Sequence, residues 1–141
     1  MPDSLKKNAG ANSKTPVRSL RVLIVDDEEP VRRFVQRVLS EAGHQTVMAV
    51  DGKDALEIAG KRGPFDLLVT DVNMPNMMGD ELARRLRQAQ PSLKVLYLTG
   101  FSEQLFKEKV TLWEDEAYLD KPCSVKGLLE AVSLLAFGQV E

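Results

Sequence analysis

Asp26 and Asp27 end the stretch RVLIVDD, Asp71 ends DLLVTD, Thr99 ends KVLYLT, and Lys121 follows AYLD. Each stands where an apolar run of strand length stops. Three carboxylates brought together repel, and at least one has its pKa raised unless a cation resolves the conflict. A hard divalent ion does so: Mg²⁺ takes oxygen ligands, keeps several waters and commonly links one or two carboxylates to a phosphate. Beside such an ion Asp71 could act as a nucleophile and carry a phosphoryl group as an acyl phosphate. An ammonium and a hydroxyl would then suffice around the phosphoryl oxygens. Lys121 and Thr99 are those types.

Each residue alone also has a plainer explanation. Asp27, Glu28 and Glu29 could complement the dipole and free N–H groups of a helix starting near Pro30. Asp71 could open the turn DVNMPNMMG, whose Asp, Asn, Pro and Gly suit a turn in any case. Thr99 could be a strand residue, Lys121 a surface lysine and Tyr118 a half-buried strand aromatic. Chemistry gains on these alternatives only if the fold brings the positions together.

From Leu20 onward, apolar runs alternate with helix-period segments, the pattern of a parallel sheet covered by helices. The expected strands are 21–26, 45–50, 66–71, 94–99 and 117–120, several apolar at consecutive positions as in strands buried on both faces. The first helix gathers Val31, Phe34, Val35, Val38, Leu39 and Ala42 at helical spacing, with Pro30 in its first turn and Gly43 at its stop. Arg32, Arg33 and Arg37 fall on its opposite face. The last helix has Ser124 as cap, Val125, Leu128, Leu129, Val132 and Leu135 as its buried stripe, and Gly138 as its end. Segments 52–62 and 79–90 are expected as the second and third helices, and 103–112 as the fourth. The series predicts an α/β fold: a doubly wound, five-stranded parallel sheet with helices on both faces and right-handed crossovers. Such sheets bind ligands beyond the carboxyl ends of their strands. The three acids, the hydroxyl and the ammonium then converge on one edge.

The 141 residues fit one domain, and a net charge of −2 gives no general reason to expect nucleic acid or an anionic membrane as partner. One cysteine, Cys123, excludes an internal disulfide framework and a cysteine-rich zinc site, and agrees with a reducing, cytoplasmic setting. No apolar run approaches the roughly 20 residues that span a bilayer, and no secretory signal follows Lys6 and Lys7. Residues 1–19 are polar enough to form a mobile arm. The folded domain is expected over 20–138, with 139–141 as a tail. His44, the single histidine, falls in a loop before the second strand and is expected to be exposed, so no histidine cluster competes for a transition metal.

Over about 20–137, the acid pair DD, the turn DVNMP, the strand end LTG and the segment YLDKP occur in order. In these motifs the sequence resembles receiver domains of two-component response regulators, including single-domain chemotaxis-type members; LYLTGF also resembles hybrid-kinase receivers. The resemblance implies that Asp71 is the phosphoacceptor, that Asp26, Asp27 and Asp71 bind Mg²⁺, and that Asn73 lends its backbone carbonyl to the metal. It implies that Thr99 and Lys121 bind phosphoryl oxygens and that the bond before Pro122 is cis. Thr99 and Tyr118 would form the switch, with phosphorylation drawing the hydroxyl and ring inward and remodelling the surface of the fourth helix, fifth strand and last helix. The phosphoryl donor would be a phosphohistidine on a sensor histidine kinase or histidine phosphotransfer protein. The output would be a downstream protein target, not metabolite turnover, with self-catalysed phosphorylation and dephosphorylation. A homodimer through the same surface is compatible with it.

Three features depart from the commonest family pattern: Phe101 replaces an acid, Cys123 stands where an aromatic is frequent, and WEDEA (113–117) is unusually acidic. Bulk at Phe101 is expected to slow loss of the phosphoryl group. Two other functions compete. A constitutive interaction module of the same fold would not need Asp71, Thr99 and Lys121 together. An aspartyl-nucleophile phosphohydrolase places a second acid two residues after the nucleophile, where this chain has Asn73. After Phe137 only GQVE remains, so no output domain is expected in this chain unless it is a piece of a longer protein such as a hybrid kinase.

Overall fold

The computed structural model describes residues 19–100 and 115–138. Within them, β1 (Arg21–Val25), β2 (Gln45–Ala49), β3 (Leu67–Asp71), β4 (Lys94–Thr99) and β5 (Glu116–Asp120) form one sheet. Its order is β2-β1-β3-β4-β5 and every neighbouring pair is parallel. The helices are α1 (Glu29–Glu41), α2 (Gly52–Arg62), α3 (Gly79–Ala89) and, last in the chain, α4 (Val125–Phe137). The fourth helix expected over 103–112 lies outside the described residues, as do Phe101 and most of the arm and tail.

Alternate side chains of a strand point to opposite faces, so each apolar strand supplies two cores. Leu23, Val25, Leu68, Val95 and Tyr97 meet Ala55 of α2 and Leu82 and Ala83 of α3. Val22, Ile24, Leu67, Val69, Leu96 and Leu98 meet Val35, Val38 and Leu39 of α1 and Leu128 and Val132 of α4. Burial of each such Leu, Ile or Val contributes about 1.5–3 kcal/mol. The β1–β2 connection crosses one face and the β1–β3 order reverses direction along the sheet, which opens a switch point at the carboxyl ends of β1 and β3.

Capping follows the sequence at α4, where Ser124 Oγ accepts the Gly127 N–H at 2.9 Å and Gly138 closes the helix at φ 77°. Val125, expected in the buried stripe, is 51% exposed instead. It is the first residue of the helix, directly after the Ser124 cap. His44 also differs from expectation: it is buried, and its Nδ1 accepts the N–H of Leu20 at 3.1 Å. The histidine thereby satisfies a backbone donor just before β1, beside the Gln45 N–H to Leu20 carbonyl bond of 2.8 Å.

Two local features shape the turn after β3. Asn76 takes φ 71°, a left-handed conformation that asparagine tolerates better than most residues. Gly79 opens α3 directly against β3: its N–H donates to the Val72 carbonyl at 2.8 Å, and a Cβ there would overlap the carbonyl oxygen of Asp71. Only glycine permits this approach.

Candidate functional site

The parallel register brings the strand ends together as expected. Asp71 ends β3 opposite Leu98, Thr99 ends β4 opposite Asp120, and the Lys121 N–H donates to the Thr99 carbonyl at 3.0 Å. The Lys121–Pro122 bond is cis. Asp26, Asp27 and Asp71 each offer a carboxylate oxygen, and these three oxygens lie within 4.8 Å of one another. Asp26 and Asp71 are buried, while Asp27 is exposed.

Lys121 reaches into this group. Its Nζ lies 3.2 Å from Asp26 Oδ2, 3.3 Å from Asp71 Oδ1 and 3.7 Å from Glu28 Oε1. Asp26 Oδ1 accepts the Glu28 N–H at 2.9 Å. Its other oxygen is buried without a hydrogen-bond partner, the approach of Lys121 being an ion pair without hydrogen-bond angles. Arg32, placed by its spacing on the outer face of α1, turns back to donate to the Asp26 carbonyl at 2.7 Å. Glu29 pairs with Arg33 in the exposed first turn of α1, where its charge supports the helix.

Burial, then repulsion from Asp26, pushes the Asp71 pKa up to about 6, against the opposing pull of Lys121 and a backbone hydrogen bond from Asn73. Burial likewise raises Asp26, with Lys121 and the Glu28 N–H acting against it. Burial by itself would lower the Lys121 ammonium, but Asp26 and Asp71 outweigh it and hold the pKa above its ordinary value. One ammonium is thus shared among carboxylates that it does not fully compensate. The buried Asp26 Oδ2, which faces an ammonium shared with Asp71, and the all-oxygen donor set suit a hard cation such as Mg²⁺, so the residues fit that ion.

Under α3 lies a second polar cluster that the sequence signals only through the acidity of WEDEA. Arg87 donates to Glu116 Oε2 at 2.6 Å, to the Asp115 carbonyl at 3.1 Å and to the Leu93 carbonyl at 3.0 Å. The Tyr97 hydroxyl donates to Glu116 Oε2 at 3.3 Å and that of Tyr118 to Glu116 Oε1 at 3.2 Å. Tyr97 and Tyr118, paired in register, stack with centroids 5.1 Å apart and planes 11° apart. Burial and the Glu116 charge raise both phenol pKa values. Cys123 is half-buried against the α1–α4 core.

The chain belongs to the response regulator receiver domain family, whose model matches residues 22–133. It is 34% identical over 112 residues to the response regulator receiver protein CpdR of Brucella abortus, covering 79% of this chain and 92% of that protein. It is 36% identical over 115 residues to the sensor kinase CckA of the same organism, covering 81% of this chain but 12% of the kinase. Among solved structures, the response regulator TrrA of Thermotoga maritima, determined with Mg²⁺ and BeF, superposes with a TM-score of 0.71 at 30% identity, covering 82% of this chain and 98% of that one. The protein is therefore a receiver domain of two-component signalling, with an acidic pocket of the kind that serves as a phosphoacceptor site. No described helix is long and apolar enough to cross a membrane.

Proposed function

We propose that Asp71 accepts a phosphoryl group from a phosphohistidine in a Mg²⁺-dependent reaction, and that phosphorylation resets a partner-binding surface. The observation that carries this reading is the convergence of Asp26, Asp27 and Asp71 around Lys121, whose Nζ stands 3.3 Å from Asp71 Oδ1. An Asp71 carboxylate oxygen attacks phosphorus as the P–N bond to the donor imidazole breaks, and the released imidazole takes up a proton. Lys121 and the Thr99 hydroxyl lie at the same strand edge, ready to hold phosphoryl oxygens. Bound Mg²⁺, held by Asp26, Asp27, Asp71 and the Asn73 carbonyl, would neutralise the carboxylates and the incoming phosphoryl oxygens. The donor is a sensor histidine kinase or a histidine phosphotransfer protein, a reading supported by the similarity to CckA. The domain extends over 20–138 and works in the cytoplasm, through a downstream protein target and not through metabolite turnover.

Intact-mass analysis after incubation with Mg²⁺ and a small acyl phosphate tests the reading. A single phosphoryl adduct is expected on the wild type and none on Asp71→Asn. An adduct retained by Asp71→Asn would overturn the assignment.

A further inference from the structure

The Tyr97–Tyr118 stack does not rest on van der Waals contact alone. Glu116 is buried to 1% exposure and Arg87 to 9%, so their ion pair is shielded from water and charge-assisted. Three hydrogen bonds fix the guanidinium: to Glu116 and to the carbonyls of Leu93 and Asp115. With Arg87 on Oε2, the carboxylate cannot swing away from either phenol without breaking the pair. The Tyr118 phenol is thereby tied to a rigid anchor.

The tether lies beside the phosphoryl site. Tyr97 stands two residues before Thr99 on β4, so both project to the same face, and Tyr118 faces Tyr97 across the β4–β5 ladder. Thr99 and Tyr118 are diagonal neighbours on that face. A ring held inward is a fixed wall beside Thr99. A ring free to leave would let the threonine wander, and ordering it would then cost affinity.

We propose that Arg87 and Glu116 are positioning residues: their ion pair holds Tyr118 inward against Tyr97 before any phosphoryl group arrives, and so prepares Thr99 to bind one. The inference rests on the reading of Asp71 as phosphoacceptor. It adds that the aromatic part of the switch is set in advance, so that phosphoryl binding and the Glu116 tether reinforce each other reciprocally.

The test uses the whole chain with Mg²⁺ and beryllofluoride as phosphoryl analogue, comparing wild type with Tyr118→Phe, Glu116→Gln and the double variant. Tyr118→Phe keeps the ring and the ion pair and removes the hydroxyl that makes the tether, so its fold is expected to be intact. In the metal-free wild type, ring-to-ring NOEs between Tyr97 and Tyr118 should already be present. Each single variant should weaken analogue binding about fivefold, and the double variant no further, because all three remove one tether. Affinity for Mg²⁺ alone should stay unchanged, which separates positioning from general loosening. Unchanged analogue affinity in both single variants, or ring contacts that form only when analogue is bound, would overturn the inference. A wild type that binds no analogue would overturn the phosphoacceptor reading itself, and the inference with it.

Discussion

At the carboxyl edge of the sheet, Asp26 and Asp71 are buried with one lysine between them, whereas under α3 the buried Glu116 has a guanidinium and two phenols. Both clusters take charge out of water, which costs several kcal/mol per ion before any pairing. Under α3 that cost is met by geometry: short bonds, opposite charge and the fixed fork of arginine. At the sheet edge it is not, and Asp71 shows this in a pKa near 6. A fold keeps such a mismatch where an ion or a substrate group is to complete it. The difference separates a cluster whose charge is left uncompensated from one that satisfies its own.

Removing one partner from each cluster should therefore have opposite effects. Arg87→Ala leaves a buried carboxylate without its guanidinium and should cost about 3–5 kcal/mol in urea unfolding. Equal stability of Arg87→Ala and wild type would mean that the α3 cluster is not the anchor its distances imply. Asp71→Asn should instead stabilise the metal-free protein, by up to 2–3 kcal/mol on the order-of-magnitude scale of its pKa shift.

Acid titration sharpens the contrast. Folded Asp71 keeps its proton up to about pH 6, while the unfolded carboxyl releases it near 3.8. The folded state thus binds more protons in that window, and this contribution is full below 3.8 and lost as pH rises through 6. In chelator, Asp71→Asn should remove that part of the pH dependence. A slope identical to wild type would show that Asp71 is not the strained group.

The smallest effect belongs to His44, whose burial lowers its pKa from 6.5. Above 6.5 both states are neutral and the stability is full; it is lost as pH falls from 6.5 through the lower folded value, because the unfolded ring takes its proton first. His44→Asn keeps an acceptor for the Leu20 N–H and should abolish this pH-dependent loss of stability. Persistence of that loss in the variant would assign it elsewhere.

Much of the fold was legible because two-sided burial leaves a strong mark: runs such as 21–26, 66–71 and 94–99, apolar at consecutive positions, read as strands covered on both faces. Strand ends then located Asp26, Asp27, Asp71, Thr99 and Lys121 without contact information, since parallel strands share one carboxyl edge. Partners far along the chain were not legible. His44 in a polar loop reads as solvent-facing, and its acceptor role depends on Leu20, 24 residues earlier. Arg87 stands four residues after the buried Ala83, at the inner edge of α3, and its partners Glu116 and Asp115 lie 29 and 28 residues away. Glu116 shares the period-2 face of Tyr118, and only the structure shows that Arg87 closes over both.

The central claim is that the pocket of Asp26, Asp27 and Asp71 is strained by its own charge until a cation binds. Thermal unfolding across a Mg²⁺ titration tests this most directly, with wild type compared to the double variant Asp26→Asn/Asp27→Asn. The account predicts a saturable rise in the wild-type midpoint and a flat response in the variant, whose metal-free midpoint starts higher. A flat wild-type curve, or an equal rise in both proteins, would contradict it.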